Sequence, residues 1–242
     1  MRRNTSTGPG PGPAPDSGPG PGTGTGADSG ASGGGGSGAR GDDGPTAHAH
    51  ALSPYQEKLR ERLLAAPVVP APAPWRNVFG GHAAVGGLTG VGFGVDPATG
   101  HDLAMVVSRD GYGVFDAVTG ERIARDRDPE DDGPDGTPDL SCPWIGPLAG
   151  RRVHVAGLFG GGLHSTSGDG WSVDVEAPDW PSHRILLSDN GGDWHRPPHT
   201  EGWWHVLHST WSTLRAAGFS PSGRTLAVAT SSDLTLWTRL PA

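Results

Sequence analysis

The chain has 242 residues, a formal net charge of −8 and a hydrophobic content of only 33%. Its single cysteine, Cys142, excludes an intramolecular disulfide framework and any cysteine-rich zinc site. The acidic balance carries no cluster of Lys or Arg and argues against nucleic acid as a partner, because phosphate binding needs concentrated positive charge.

Residues 1–45 hold 16 Gly and 7 Pro. Such a stretch has almost no apolar side chains to bury and cannot offset the entropy of ordering its backbone, so residues 1–50 are expected to form a disordered arm. Arg2 and Arg3 resemble the charged start of a secretion signal, but Gly/Pro repeats stand where its apolar stretch belongs. No apolar run approaches the roughly 18 residues of a membrane span. The expectation is therefore a cytoplasmic protein with no membrane partner.

Residues 51–74 read as a short helix and a spacer. In Ser53-Pro54-Tyr55-Gln56, Ser stands at the N-cap, Pro at the first helical position and Gln where it can reach back to the cap. Tyr55, Leu59, Leu63 and Ala66 fall on one stripe, which predicts packing on the body. Pro67 stops the helix, and the alternating prolines of residues 67–74 predict an extended spacer.

From Trp75 the texture changes to short apolar runs between Gly, Asp and Pro, with no helical period. Val106-Val107, Arg152–Val155, Trp171–Val175, Ile185–Leu187 and Leu226–Ala229 all read as strands. Residues 75–242 are predicted to be one all-β domain.

That domain repeats itself. Pairing His82 with His208 also pairs Leu88 with Leu214, Gly92 with Gly218 and Phe93 with Phe219, all at an offset of 126 residues. Downstream, Leu103–Ser108 lines up with Leu226–Ser231 and Asp110 with Asp233, while Phe115 and Trp237 each close a strand. A third, weaker copy runs from Val153–Leu158 to Asp169-Gly170-Trp171. The pattern of residues 218–237, and of 81–122, resembles a WD40-type β-propeller repeat. The resemblance implies a small or incomplete β-propeller-like body that engages a protein or peptide through its loops. Thr238 departs from the family pattern, which has Asp after the Trp. The Asp-turns are 59 and 64 residues apart, longer than a WD40 period of about 40–45. Strand 75–80 is expected to complete the last blade.

Two segments concentrate chemistry. Asp128, Glu130, Asp132, Gly133 and Asp139 occupy positions 1, 3, 5, 6 and 12 of a calcium-loop template, although no helices flank them. The competing reading is a solvated acidic loop. Between Asp193 and His208 lie His195, His199, His205, His208, Glu201, Trp194, Trp203 and Trp204. A zinc or iron site needs three converging ligands, which His195, His199 and His205 or Glu201, His205 and His208 could supply, but regular strand alternation puts His205 and His208 on opposite faces. Trp194, Trp203, Trp204 and Trp211 could instead form an aromatic platform, or simply pack the core. Ser165 and Ser167 lack the Gly-x-Ser-x-Gly elbow of a hydrolase, and no helix follows the glycines at 90–94 to cradle a phosphate. No catalytic residue and no cofactor is therefore assigned. The expected function is a non-enzymatic protein- or peptide-binding module. The alternative is a divergent metal-dependent or glycan-binding or hydrolysing protein that uses segment 194–208.

Overall fold

A computed structural model describes residues 51–239, apart from 131, 132, 191 and 197. The expected arm, residues 1–50, lies outside the described residues.

Helix α1 spans Pro54–Ala65 and begins as its sequence dictates. The Ser53 hydroxyl accepts from the Gln56 amide, and the Gln56 side chain accepts from the Ser53 amide, so two otherwise orphaned N–H groups are satisfied. The apolar stripe is only partly used. Leu63 is buried, but Tyr55 remains 61% exposed, because the helix meets the body through its last turn.

After the spacer the described residues are strand and loop, with short 3-10 turns at Pro134–Gly136 and Gly146–Leu148. In chain order the strands are β1 (Arg76–Asn77), β2 (Ala83–Ala84), β3 (Leu88–Val95), β4 (Asp102–Ser108), β5 (Gly111–Asp116), β6 (Arg122–Asp126), β7 (Ser141–Pro143), β8 (Arg152–His154), β9 (Ala156–Gly157), β10 (Ser172–Glu176), β11 (His183–Ser188), β12 (Trp203–Ser209), β13 (Leu214–Phe219), β14 (Thr225–Thr230) and β15 (Asp233–Thr238). They form four antiparallel sheets: β6-β5-β4-β3-β9, then β13-β14-β15 with β1 and β2, then β10-β11-β12, and the β7-β8 hairpin. No closed barrel forms among the described residues. The class is all-β with one helix, and the expected strand at 75–80 does join the last sheet, with Asn77 paired to Trp237.

The two clear repeats fold alike. Each supplies three consecutive strands of one sheet, β3-β4-β5 and β13-β14-β15, and each first strand carries a bulge at the same place, Leu88/Gly90 and Leu214/Ala216. The matched glycines have one cause. A side chain at Gly92 would run into the backbone of His154, and one at Gly218 into that of His164. In both repeats the chain returning from the β7-β8 hairpin passes against that point.

One alignment step is corrected by the register. The sequence match sets Leu226 against Leu103. The hydrogen bonds make Leu226 the counterpart of Ala104 instead, because Ala104 lies between Phe93 and Phe115 as Leu226 lies between Phe219 and Trp237. The sequence misleads here because β4 and β14 are buried on both faces and read as unbroken apolar runs, which carry no face information. The weaker third copy does not form a sheet of its own. Val153 lies in β8, paired to β7, while Ala156 and Gly157 pair with β3.

With the corrected register the layers follow a rule. Ala104, Val106 and Phe115 share one apolar layer with Ala227, Ala229, Leu234 and Leu236. Their counterparts Leu226, Val228 and Trp237 share the next layer with Val173, Ile185 and Leu187 of the β10-β11-β12 sheet. Met105, Val107 and Val114 face the opposite way, onto Cys142, Trp144 and Val153. Every counterpart is displaced by one layer. Cys142 is thus a small buried residue.

Gly92→Ala is expected to lower stability by about 1–3 kcal/mol through overpacking. Gly162→Ala, where a Cβ meets open space, should stay within about 0.5 kcal/mol of the parent. Urea unfolding midpoints of the two variants check this.

Candidate functional site

The histidine- and tryptophan-rich segment is where α1 is seated. β12 carries a bulge at Val206, since Ile185 pairs with Leu207 but Leu186 pairs with His205. The extra residue overturns the expected alternation: His205 and His208 lie on the same face, with ring centroids 5.8 Å apart. That face also carries Arg184, Leu186 and Trp203, and Leu63 of α1 packs onto the last two.

The polar contacts across this seat end the helix. Arg184, buried in β11, donates from Nε to the Leu63 carbonyl, 2.9 Å away. His205 Nδ1 donates to the Ala66 carbonyl, also at 2.9 Å. Two of the carbonyls left open at a helix C-terminus are thereby satisfied. The Val69 amide adds a backbone bond to the His205 carbonyl, and Arg62 donates to the carbonyls of Trp194 and His195.

Two further imidazole nitrogens are committed as acceptors. Arg184 Nη1 donates to His208 Nε2 at 2.7 Å, and the His205 amide donates to His199 Nε2 at 3.2 Å. Arginine and amide groups only donate and carbonyls only accept, so each tautomer follows from its partner. Nε2 of His199 and of His208 therefore accepts and carries no proton, while His205 carries its proton on Nδ1. His205 Nε2 is buried with no hydrogen-bond partner. Burial holds all three below the ordinary imidazole range, and the Arg184 cation adds to the effect at His205 and His208.

His195 stands apart, exposed and stacked on Trp194 at 3.8 Å. Among the described residues no three His, Cys, Asp or Glu side chains converge as a metal set would require. The four tryptophans also scatter. Trp203 is buried under α1 with Trp194 beside it, Trp204 packs on Trp171 across the opposite face, and Trp211 is 98% exposed.

In the acidic segment Asp132 lies outside the described residues. Asp128 and Glu130 are exposed on the loop. Asp139 is turned onto its own neighbour, accepting from the Ser141 hydroxyl at 2.8 Å and from the Ser141 amide, and those hydrogen bonds hold its carboxyl below the usual range.

A site that sequence reasoning missed lies between the two repeat sheets. The turns 96–101, 116–121 and 220–224 meet there around an open crevice of about 730 Å³, bordered by His101, Asp102, Val118, Arg224, Thr238 and Arg239. Asp102 is only 3% exposed. Its Oδ2 accepts three hydroxyls from the neighbouring sheet, Ser220 at 2.8 Å, Ser222 at 2.7 Å and Thr225 at 2.8 Å.

On the rim, His101 Nδ1 is 2.8 Å from Asp116 Oδ2. Burial works against the charged form of Asp116, yet the bonds from His101, Thr119 and Val118 outweigh it and hold the carboxyl low. Arg224 uses one Nη2 contact, 3.2 Å to the Gly100 carbonyl. Arg239 is neutralised by a two-pronged pair with Asp169 and lies 4.9 Å from the centroid of Trp75. The signal in the sequence is the hydroxyl pattern of residues 220–225, but it reads equally well as an ordinary Ser/Pro/Gly turn.

Comparison with protein-family models, characterised proteins and solved structures finds no match for this chain. The site geometry therefore carries the functional argument by itself.

Asp102→Ala leaves three hydroxyls without their acceptor between packed sheets and is expected to cost about 3 kcal/mol. Asp102→Asn keeps an acceptor oxygen and should cost roughly 1 kcal/mol. Chemical denaturation at neutral pH compares them directly.

Proposed function

We propose that this chain is a non-enzymatic binding module, built on propeller-type repeats, which takes an acidic peptide or protein segment at the crevice between its two repeat sheets. Two features favour propeller-type repeats: their shared bulge and the displacement of every counterpart by one apolar layer. The observation that carries the binding reading is the crevice. Its floor is fixed by the Asp102 hydroxyl set, and on its rim most of the Arg224 guanidinium and His101 Nε2 make no hydrogen bond among the described residues. Fixed walls with a few convergent polar groups are what a recognition pocket needs, because little ordering entropy remains to be lost on binding. An Arg fork suits a carboxylate in particular.

The crevice hydroxyls also favour binding over hydrolysis. Ser220, Ser222 and Thr225 all converge on one buried carboxyl group, Asp102, and none of them is hydrogen-bonded to an imidazole. No helix among the described residues is long and apolar enough to cross a membrane. A cytoplasmic site of action, with residues 1–50 as a tether, completes the proposal. The metal or glycan alternative is not carried forward, since His199, His205 and His208 serve the seat of α1.

Peptides selected from a displayed library on the full chain are expected to be rich in Asp and Glu. Arg224→Ala should weaken their binding by about tenfold or more, a typical loss for one charge-assisted contact. Selection of no peptide, or equal binding to Arg224→Ala and His101→Ala variants, would reject the proposal.

A further inference from the structure

The seat of α1 has an unusual composition for a helix-docking surface. One apolar side chain of the helix, Leu63, is fully buried, with Ala66 and Trp194 packed partly against it, and the other contacts are polar. Burying a single leucine contributes only about 2 kcal/mol, so the hydrogen bonds decide whether the helix stays. Two of those bonds depend on imidazoles beside a buried cation, Arg184: His205 holds the Ala66 carbonyl, and His208 accepts from the Arg184 that holds the Leu63 carbonyl, while His199 accepts from the His205 amide.

We infer that α1 and its spacer form an acid-released latch: protons taken up by His199, His205 and His208 detach the helix from the β11-β12 face and uncover Leu186 and Trp203. Each proton goes to an Nε2 that the docked state needs bare. On His208 it removes the acceptor for Arg184 Nη1 and sets two cations face to face. On His199 it removes the acceptor for the His205 amide. On His205 it places a charge at a buried nitrogen with no partner. The costs at His205 and His208 do not exist once the helix has left and water reaches the rings, and His199 acts through its bond to the His205 amide.

The other charged groups around the cluster do not cancel this. Asp179, from the loop before β11, lies 3.5 Å from Arg184 and favours the charged form of His208, but burial and Arg184 outweigh it. From α1, Arg60 donates to the Pro178 carbonyl and Arg62 to those of Trp194 and His195, so both add positive charge. Asp174 and Glu176 of β10 are partly buried, which pushes their carboxyls up, and nearby His195 opposes that shift. His183 of β11 has a buried Nδ1 with no partner.

The sign follows from linkage. The docked rings bind protons less readily than free imidazole, whose value is 6.5. The latch is therefore complete above that pH and weakens as pH falls below it toward the lower docked-state values. Each proton taken up on release changes the docked-to-released ratio by about tenfold per pH unit.

Hydrogen exchange of the full chain between pH 8 and 5, corrected for intrinsic rates, tests this. The amides of residues 57–66 and Val69 should lose protection by about tenfold or more per unit below pH 6.5, while those of β14 and β15 keep theirs. His205→Asn with His208→Gln retains a donor to Ala66 and an acceptor for Arg184 but cannot titrate there, so its protection should stay nearly level. A wild-type profile that does not fall, or a double variant that falls as steeply, overturns the inference. Should the double variant fail to dock at pH 8, imidazole proton resonances of the wild type decide. His205 and His208 titrating below 6.5 in step with helix release supports the latch, and titration out of step refutes it.

Discussion

The architecture depends on the burial of β4 and β14 on both faces. All residues of Leu103–Val107 and of Thr225–Thr230 are buried, so each of the two repeat sheets requires an apolar layer on either side. A sheet with one wet face could end the stack, but two such sheets cannot. They share one layer with each other and pass the need outward. The β7-β8 hairpin and Trp144 meet it on one side, and the β10-β11-β12 sheet meets it on the other. That third sheet still has an outer face with Leu186 and Trp203 on it, and α1 covers this face. The helix is thus the end of a chain of requirements that begins in the core.

Apolar layers set which sheets are neighbours, but they fix lateral position poorly. Directional contacts supply that, and they sit at strand tips. The Asp102 hydroxyl set joins the turn before β4 to the turn before β14. Arg215 Nε donates to the Leu88 carbonyl, linking β13 to the start of β3. His82, next to β2, stands 3.4 Å from Asp233. Hydrogen bonds are sensitive to distance and angle where apolar contact is not, so a few of them select one stacking among several of similar buried area. The crevice is the gap these tip contacts hold open.

Much of this was legible in the residues. Local signals worked where their cause is local: the Ser53 capping box, the strand runs, and the equivalence of Gly92 with Gly218, each set against a passing backbone. What failed required long-range information. The Leu103–Leu226 match was one residue out because a run buried on both faces has lost the period-2 signal that marks a face. His205 and His208 were assigned to opposite faces because a bulge depends on the partner strand and not on the bulged residues alone. The Asp102 site was invisible because its donors come from more than 115 residues away and look like turn formers. The histidine density was noticed but its role was not, since nothing in segment 193–208 shows that a helix at 54–65 will end against it.

The two polar centres differ in chemistry, and this separates the cohesion of the body from the attachment of the helix. Around the crevice the charge-bearing contacts use carboxyl groups held low, Asp116 by His101 and the turn amides, and Asp169 far below the usual range by Arg239 and Ser167. Mild acid leaves such groups ionised, and their bonds persist. At the helix seat the acceptors are imidazoles, which change state within the same mild range. A lysine or arginine in place of His208 could not accept from Arg184, and a carboxylate there would stay paired with it to low pH. Imidazole is the side chain that accepts from a buried cation near neutrality and ceases to do so in weak acid. The line of contacts from Arg184 through His208 and His205 to His199 therefore concentrates the response to acid at one end of the stack, where the apolar attachment is smallest.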